Sequence, residues 1–255
     1  MGTEAINAIQ ESKTGRQFVL IHGSWHHGGH WKQVQQALEE RGHRVYAPTL
    51  LGNEPNSVRL NYPLKEIVQH LQEDIVSRDL TDIVLAGHSS GGYIVQQLAQ
   101  VEPQRVKQVI FINAYVLENG ENMIKFTTEE TPTPQNNYSF SRLLPFDWFR
   151  DQFANLVDEE TAKALYATTI PQGGQPHSEL QDLKTFFELP ISKAFVYLTK
   201  DPIYGGPDSK DNWHPRFSTR LGDYKLVEME GDHEALLTNP LVLAEKLTEA
   251  SSDLN

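Results

Sequence analysis

The chain contains no cysteine. Disulfide scaffolds, thiolate-bound zinc, iron–sulfur clusters and cysteine nucleophiles are thereby excluded. Positive charge is scarce: 22 Lys and Arg stand against 34 Asp and Glu in 255 residues, a formal net charge of −12. A field of that sign repels phosphate backbones and anionic lipid, which argues against nucleic-acid and membrane-surface partners. No apolar run approaches the length of a membrane span. The opening stretch from Met1 to Arg16 is polar and lacks the apolar core of a secretion signal, so a cytoplasmic location is expected. Charges are scattered without blocks, which leaves no coiled-coil, collagen-like or wholly disordered reading.

What the chain does have is short apolar runs, each followed by a helical pattern. Phe18–Ile21, Val45–Ala47, Ile83–Ala86, Val109–Ile112 and Ala194–Leu198 are continuous, as strands buried on both faces of a parallel sheet are. Tyr224–Met229 alternates more, which suits a strand near the sheet edge. Leu64, Ile67, Val68, Leu71 and Ile75 form one apolar stripe of a helix. Trp31, Val34 and Leu38 form a shorter one, and Leu241, Ala244 and Leu247 begin the last helix. The alternation predicts an α/β fold, a mostly parallel six-stranded sheet with helices on both faces. Residues 118–190 break the rhythm with helices, loops and many aromatics. They read as a helical cap inserted after the fourth strand, with 1–117 and 191–255 as the core. An ordinary helical subdomain with its own core is the blander alternative.

Gly87-His88-Ser89-Ser90-Gly91-Gly92 lies between a buried strand and a helix, the setting that a G-x-S-x-G nucleophile turn requires. The glycines at 87 and 91 remove side chains that would clash in so tight a turn. Ser89 then stands at a helix N-terminus, where backbone N–H groups favour developing negative charge. Alone, the motif could equally be a Gly/Ser turn. A serine hydroxyl needs a base, and the base needs orienting. His233 follows the last strand and Asp201 follows the strand before it, giving the chain order Ser, Asp, His. Asp208 and Asp211 are weaker rivals in the same loop, and Asp232 adjoins His233 too closely to orient its ring.

After the first strand comes His22-Gly23-Ser24-Trp25, a turn that can aim the Ser24 N–H at the point above Ser89 served by the Ser90 N–H. His26, His27 and His30 follow. They invite a metal reading, but no carboxylate accompanies them and neither H-x-H nor H-E-x-x-H spacing occurs, so no metal is expected. No nucleotide-binding glycine loop is present, and no organic cofactor is expected. His43, His70, His177 and His214 are isolated and read as surface or structural residues.

VLIHGSWHHGGHW, LAGHSSGG, YLTKDPIY and GDHEALLTNP resemble the landmark segments of the α/β-hydrolase superfamily. The resemblance is closest to the plant methyl-ester esterases and hydroxynitrile lyases with their bacterial relatives. It covers almost the whole chain in order and implies the shortened six-stranded sheet. It further implies Ser89 as nucleophile, His233 as base, Asp201 as orienting acid, and the backbones of Ser24 and Ser90 as oxyanion donors. Two positions depart from the group. Glu234 stands where its esterases tend to carry Met and its cyanohydrin-cleaving members Lys, and Trp25 stands where a small Cys is common. The expected function is hydrolysis of a small, largely apolar carboxylic ester. A lyase-type reaction on the same three residues, or a small-molecule receptor on this scaffold, is the alternative. Trp25, His88, Trp148, Phe149, Phe153 and Glu234 are the expected pocket residues. The small ester is the expected partner, and a homodimer is left open.

Overall fold

The computed structural model describes residues 15–59, 61–126, 143–206 and 208–252. Most of the polar opening stretch that suggested a cytoplasmic location lies outside them. In chain order the elements are β1 (Gln17–Ile21), α1 (Lys32–Glu40), β2 (Arg44–Tyr46), α2 (Leu64–Ser77), β3 (Ile83–His88), α3 (Gly91–Val101) and β4 (Val106–Ile112). Then come α4 (Phe146–Gln152), α5 (Glu159–Tyr166), α6 (Gln175–Ser178), β5 (Ser192–Leu198), α7 (Trp213–Arg216), β6 (Lys225–Met229), α8 (Ala235–Thr238) and α9 (Pro240–Ser251).

The six strands form one sheet in the order β2-β1-β3-β4-β5-β6, and every neighbouring pair is parallel. Successive residues of each strand point to opposite faces, so both faces are apolar. Phe18, Leu20, Val84, Ile110 and Val196 meet Val34 and Leu38 of α1 and Leu243 and Leu247 of α9. Val19, Ile21, Leu85, Val109 and Phe111 meet the other layer, Ile67 and Leu71 of α2 and Ile94 and Leu98 of α3. Full burial of each such side chain stabilises the fold by about 1.5–3 kcal/mol relative to exposure. The last helix differs from its expected stripe. Leu241 is exposed, and the buried row is Leu243, Ala244, Leu247 and Ala250, because Pro240 starts the helix with Leu241 on the solvent side.

Between β4 and β5 the described residues hold short helices and no strand. Leu144, Phe149, Phe153, Ala154 and Ala162 build a small apolar cluster there, into which Trp25 of the core packs. The strand register makes the site possible. Ile21 pairs with Gly87, Gly87 with Phe111 and Phe111 with Phe195. The carboxyl ends of these strands therefore lie in one row, and the chain reverses its direction of winding between β1 and β3. Ligands of open α/β sheets bind at that point. No helix among the described residues is long and apolar enough to cross a membrane.

Candidate active site

Ser89 tops the turn from β3 into α3 with φ of 52°, a left-handed conformation that few non-glycine residues adopt. The turn closes only because its flanks are glycine. A Cβ on Gly87 would sit 2.6 Å from the Gly91 carbonyl oxygen, and one on Gly91 would sit 2.7 Å from that of Ile21. Ser89 and His233 line one cavity of about 770 Å³, which suits a small organic molecule.

His233 is fixed from behind. Its Nδ1–H donates to Asp201 Oδ2 at 2.6 Å, and both side chains are buried. Asp201 is held in turn by Asn113 Nδ2 on the same oxygen at 2.8 Å and by the Ile203 N–H on Oδ1 at 2.9 Å. The Asn113 side-chain oxygen accepts from the Leu198 N–H, which ties the carboxylate to the ends of β4 and β5. With Nδ1 engaged as donor, Nε2 is left as the basic nitrogen. Trp213 stacks on the ring at 18° and Phe153 packs 4.5 Å from it, centroid to centroid. Asp232 turns away from the ring and accepts from Thr238 Oγ1 and the Leu156 N–H. Asp208 and Asp211 are exposed, Asp211 on the wall of the same cavity, and the carboxylate hydrogen-bonded to His233 is that of Asp201.

Ser24 and Ser90 follow the adjacent strands β1 and β3 and are buried. Among the described residues neither backbone N–H donates a hydrogen bond. Two unpaired N–H groups at this end of the sheet are what an oxyanion acceptor would need. The loop carrying Ser24 is braced on several sides. Trp25 takes φ of 64°, its N–H donates to Gln172 Oε1 at 3.2 Å, and its carbonyl accepts from the Ile170 N–H at 3.0 Å.

Of the expected pocket residues, Trp25, Trp148 and Phe153 line the cavity, and His88, Phe149 and Glu234 do not. Phe149 turns into the cluster beneath α4, because its neighbour Trp148 takes the cavity face of that helix. His88 points below the turn, edge-on to Trp31 and 4.6 Å from the His233 ring. Burial, with the His233 and His26 charges beside it, keeps its pKa well below the usual value. Glu234 faces neither pocket nor solvent. It is fully buried, and its Oε2 accepts from His26 Nε2 at 2.8 Å. His26 Nδ1 meets the Ser24 carbonyl at 2.6 Å, so both ring nitrogens act as donors. Burial opposes charge on that ring, but the Glu234 carboxylate outweighs it and raises the His26 pKa. His26 and Glu234 thus form a buried pair turned away from the cavity. His22 plays a different part, neutral, donating from Nδ1 to the Gly23 carbonyl and accepting the Leu50 N–H at Nε2.

Sequence reasoning missed Asn113 and most of the wall. Tyr115, Tyr204, Trp213 and Arg216 line the cavity. Tyr115 and Tyr204 join hydroxyls at 2.6 Å, and the Arg216 guanidinium lies over Tyr204. The aromatic spacing after Asp201 was the available signal for Tyr204 and Trp213.

Comparison with known proteins gives the family. A model of the alpha/beta hydrolase family matches residues 18–246. The chain belongs to that family, in the group of plant methylesterases, hydroxynitrile lyases and bacterial relatives. An extracellular alpha/beta-hydrolase from a Paenibacillus species, which shares structural and functional homology with tobacco Salicylic Acid Binding Protein 2, superposes with a TM-score of 0.87. It is 32% identical, over 93% of this chain and 100% of its own. The Carbendazim hydrolyzing esterase of Nocardioides sp. is 29% identical over 90% of this chain and 97% of its own. The Alpha-hydroxynitrile lyase of Arabidopsis thaliana is 30% identical over 92% and 97%.

Proposed function

We propose that the chain hydrolyses carboxylic esters of small, largely apolar molecules, with Ser89 as nucleophile, His233 as base and Asp201 as the orienting acid. The observation that carries this reading is the buried His233–Asp201 hydrogen bond of 2.6 Å on the wall of the cavity that also holds Ser89. His233 Nε2 takes the Ser89 proton as the hydroxyl oxygen attacks the ester carbonyl. The tetrahedral oxyanion accepts from the Ser24 and Ser90 N–H groups. The imidazolium, stabilised by Asp201, then protonates the leaving alcohol. Water activated by the same ring attacks the acyl-enzyme, and Ser89 is restored with release of the acid. The aromatic wall of Trp25, Trp148, Phe153, Tyr115, Tyr204 and Trp213 favours apolar acyl or alcohol groups.

Cyanohydrin cleavage on the same residues fits less well. The group's cyanohydrin-cleaving members tend to carry Lys beside the base, a charge that can hold cyanide as it departs. Position 234 supplies an acidic side chain, and it turns to His26 rather than into the cavity. A panel of methyl and aryl esters graded in acyl and alcohol size tests the proposal. Hydrolysis by the natural chain and none by Ser89→Ala is expected, with no cyanide released from cyanohydrins of benzaldehyde or acetone. An active Ser89→Ala chain would sink the serine mechanism, and cyanide release would overturn hydrolysis as its outcome.

A further inference from the structure

His177 is buried, neutral in charge and remote in sequence from every residue of the proposed mechanism, yet it touches that machinery. Tyr93 of α3 lies 2.6 Å from its Nδ1, and Ser24 Oγ lies 3.2 Å from its Nε2. Ser24 Oγ in turn donates to Ser90 Oγ at 2.9 Å. The proton directions follow without freedom. Ser24 spends its hydroxyl proton on Ser90, so towards His177 it can only accept, and Nε2 carries the hydrogen. Nδ1 is then the acceptor, and Tyr93 is the donor. All four residues are at most 5% exposed, so water cannot readily stand in for a missing member.

The chain of bonds ends on Ser24 and Ser90, whose backbone N–H groups have no partner among the described residues. We propose that His177 is a positioning residue of the oxyanion hole, fixing the Ser24 and Ser90 donors through their hydroxyls. The inference rests on the ester-hydrolase reading above. His177 comes from α6, in the segment between β4 and β5, so this segment holds the hole as well as covering the cavity. Burial of the ring lowers its pKa to about 4, which keeps this one tautomer in place across the neutral range. The role differs from mere packing because it acts on charge that exists only in the transition state. Losing one oxyanion donor outright costs about 10²–10³ in rate, and misplacing donors that remain should cost less.

The test is steady-state hydrolysis of an aryl ester by His177→Ala, His177→Gln, His177→Asn and Ser24→Ala, with a boronic acid as the tetrahedral mimic. For His177→Ala, kcat is expected to fall about 10- to 100-fold with KM changed less than about threefold. Boronic acid affinity should fall in step with kcat/KM. A Gln amide N–H can reach the Nε2 position and should recover most of the rate, whereas an Asn amide reaches only the Nδ1 position and should not. Adding His177→Ala to Ser24→Ala should cost little more, since either change breaks the same chain. Unchanged kcat in His177→Ala, equal behaviour of Gln and Asn, or a loss confined to KM or thermal stability overturns the positioning role. If His177→Ala does not fold, the Gln and Asn pair decides. Absence of ester hydrolysis in the natural chain is a separate failure, of the hydrolase reading itself, and takes this role with it.

Discussion

Asp201 uses both carboxylate oxygens, one on His233 and Asn113 and the other on the Ile203 N–H. In the proposed mechanism its work is to hold the imidazole in one tautomer and to stabilise the cation formed during attack. Asp201→Asn is expected to lower kcat on the order of 10⁴-fold with the fold retained, because the amide matches the carboxylate in shape but no longer fixes the tautomer. Asp208→Asn and Asp211→Asn should stay within a few-fold of the natural rate, as the carboxylate hydrogen-bonded to the ring is that of Asp201. Kinetics of the three variants on one aryl ester check this, and an inactive Asp211→Asn beside an active Asp201→Asn would move the acid. Glu234 teaches the complementary lesson at this scale. Its place beside His233 in sequence suggested a pocket wall. The Glu234 N–H is tied to the Phe153 carbonyl, and the side chain runs the other way, to His26. Such a partner, 208 residues away, leaves no trace in local sequence.

Among elements, the turn between β3 and α3 is the least tolerant. A methyl group on Gly91 would press on the Ile21 carbonyl at 2.7 Å and the His22 carbonyl at 2.9 Å. Both are backbone, so either α3 or β1 must shift. Gly91→Ala is expected to destabilise the protein by about 1–3 kcal/mol, as overpacking of a tight interior does, and to cost activity by moving Ser89. Urea midpoints beside ester assays measure both, and a natural midpoint with natural kcat would show that the turn has slack. This turn was readable because its chemistry and its sterics are both local. The strands were readable for a related reason: burial on both faces leaves continuous apolar runs such as Phe18–Ile21 and Val109–Ile112. The segment between β4 and β5 was readable only as helical and aromatic. Which of Trp148 and Phe149 faces the cavity depends on how α4 is rotated over the core, a tertiary outcome. The loop after β5 was searched for its acid alone, and its contribution of Tyr204, Trp213 and Arg216 to the wall passed unnoticed.

For the whole molecule, the buried histidines set the response to acid. Burial lowers His22 to about 3, His30 to about 2 and His177 to about 4, and holds His88 well below its usual value. An unfolded chain protonates all four as pH falls through about 6.5, and the folded chain does not. Each ring therefore makes stability fall with decreasing pH, by about 1.4 kcal/mol per pH unit, until its folded pKa is reached. Two groups act in the opposite sense. Burial raises Asp232 to about 6, so its contribution is present below the ordinary carboxylate range and is lost as pH rises towards 6. His26, with its pKa raised, stabilises most below 6.5 and loses that contribution as pH climbs above its folded value. Between pH 6 and 4 the rings whose pKa is lowered, His27 and His43 among them, outnumber the one raised carboxylate, so acid destabilises the fold on balance. Urea midpoints measured from pH 7 to 4.5 should therefore fall steeply below 6. His88→Leu provides the internal control, because its ring is buried with no side-chain hydrogen-bond partner among the described residues and leucine takes up no proton. That variant should unfold with a shallower acid limb, by about 1.4 kcal/mol per pH unit, and with no less stability at pH 7. A flat profile between pH 6 and 4.5, or a His88→Leu limb parallel to the natural one, would mean that these rings are protonated in the folded protein.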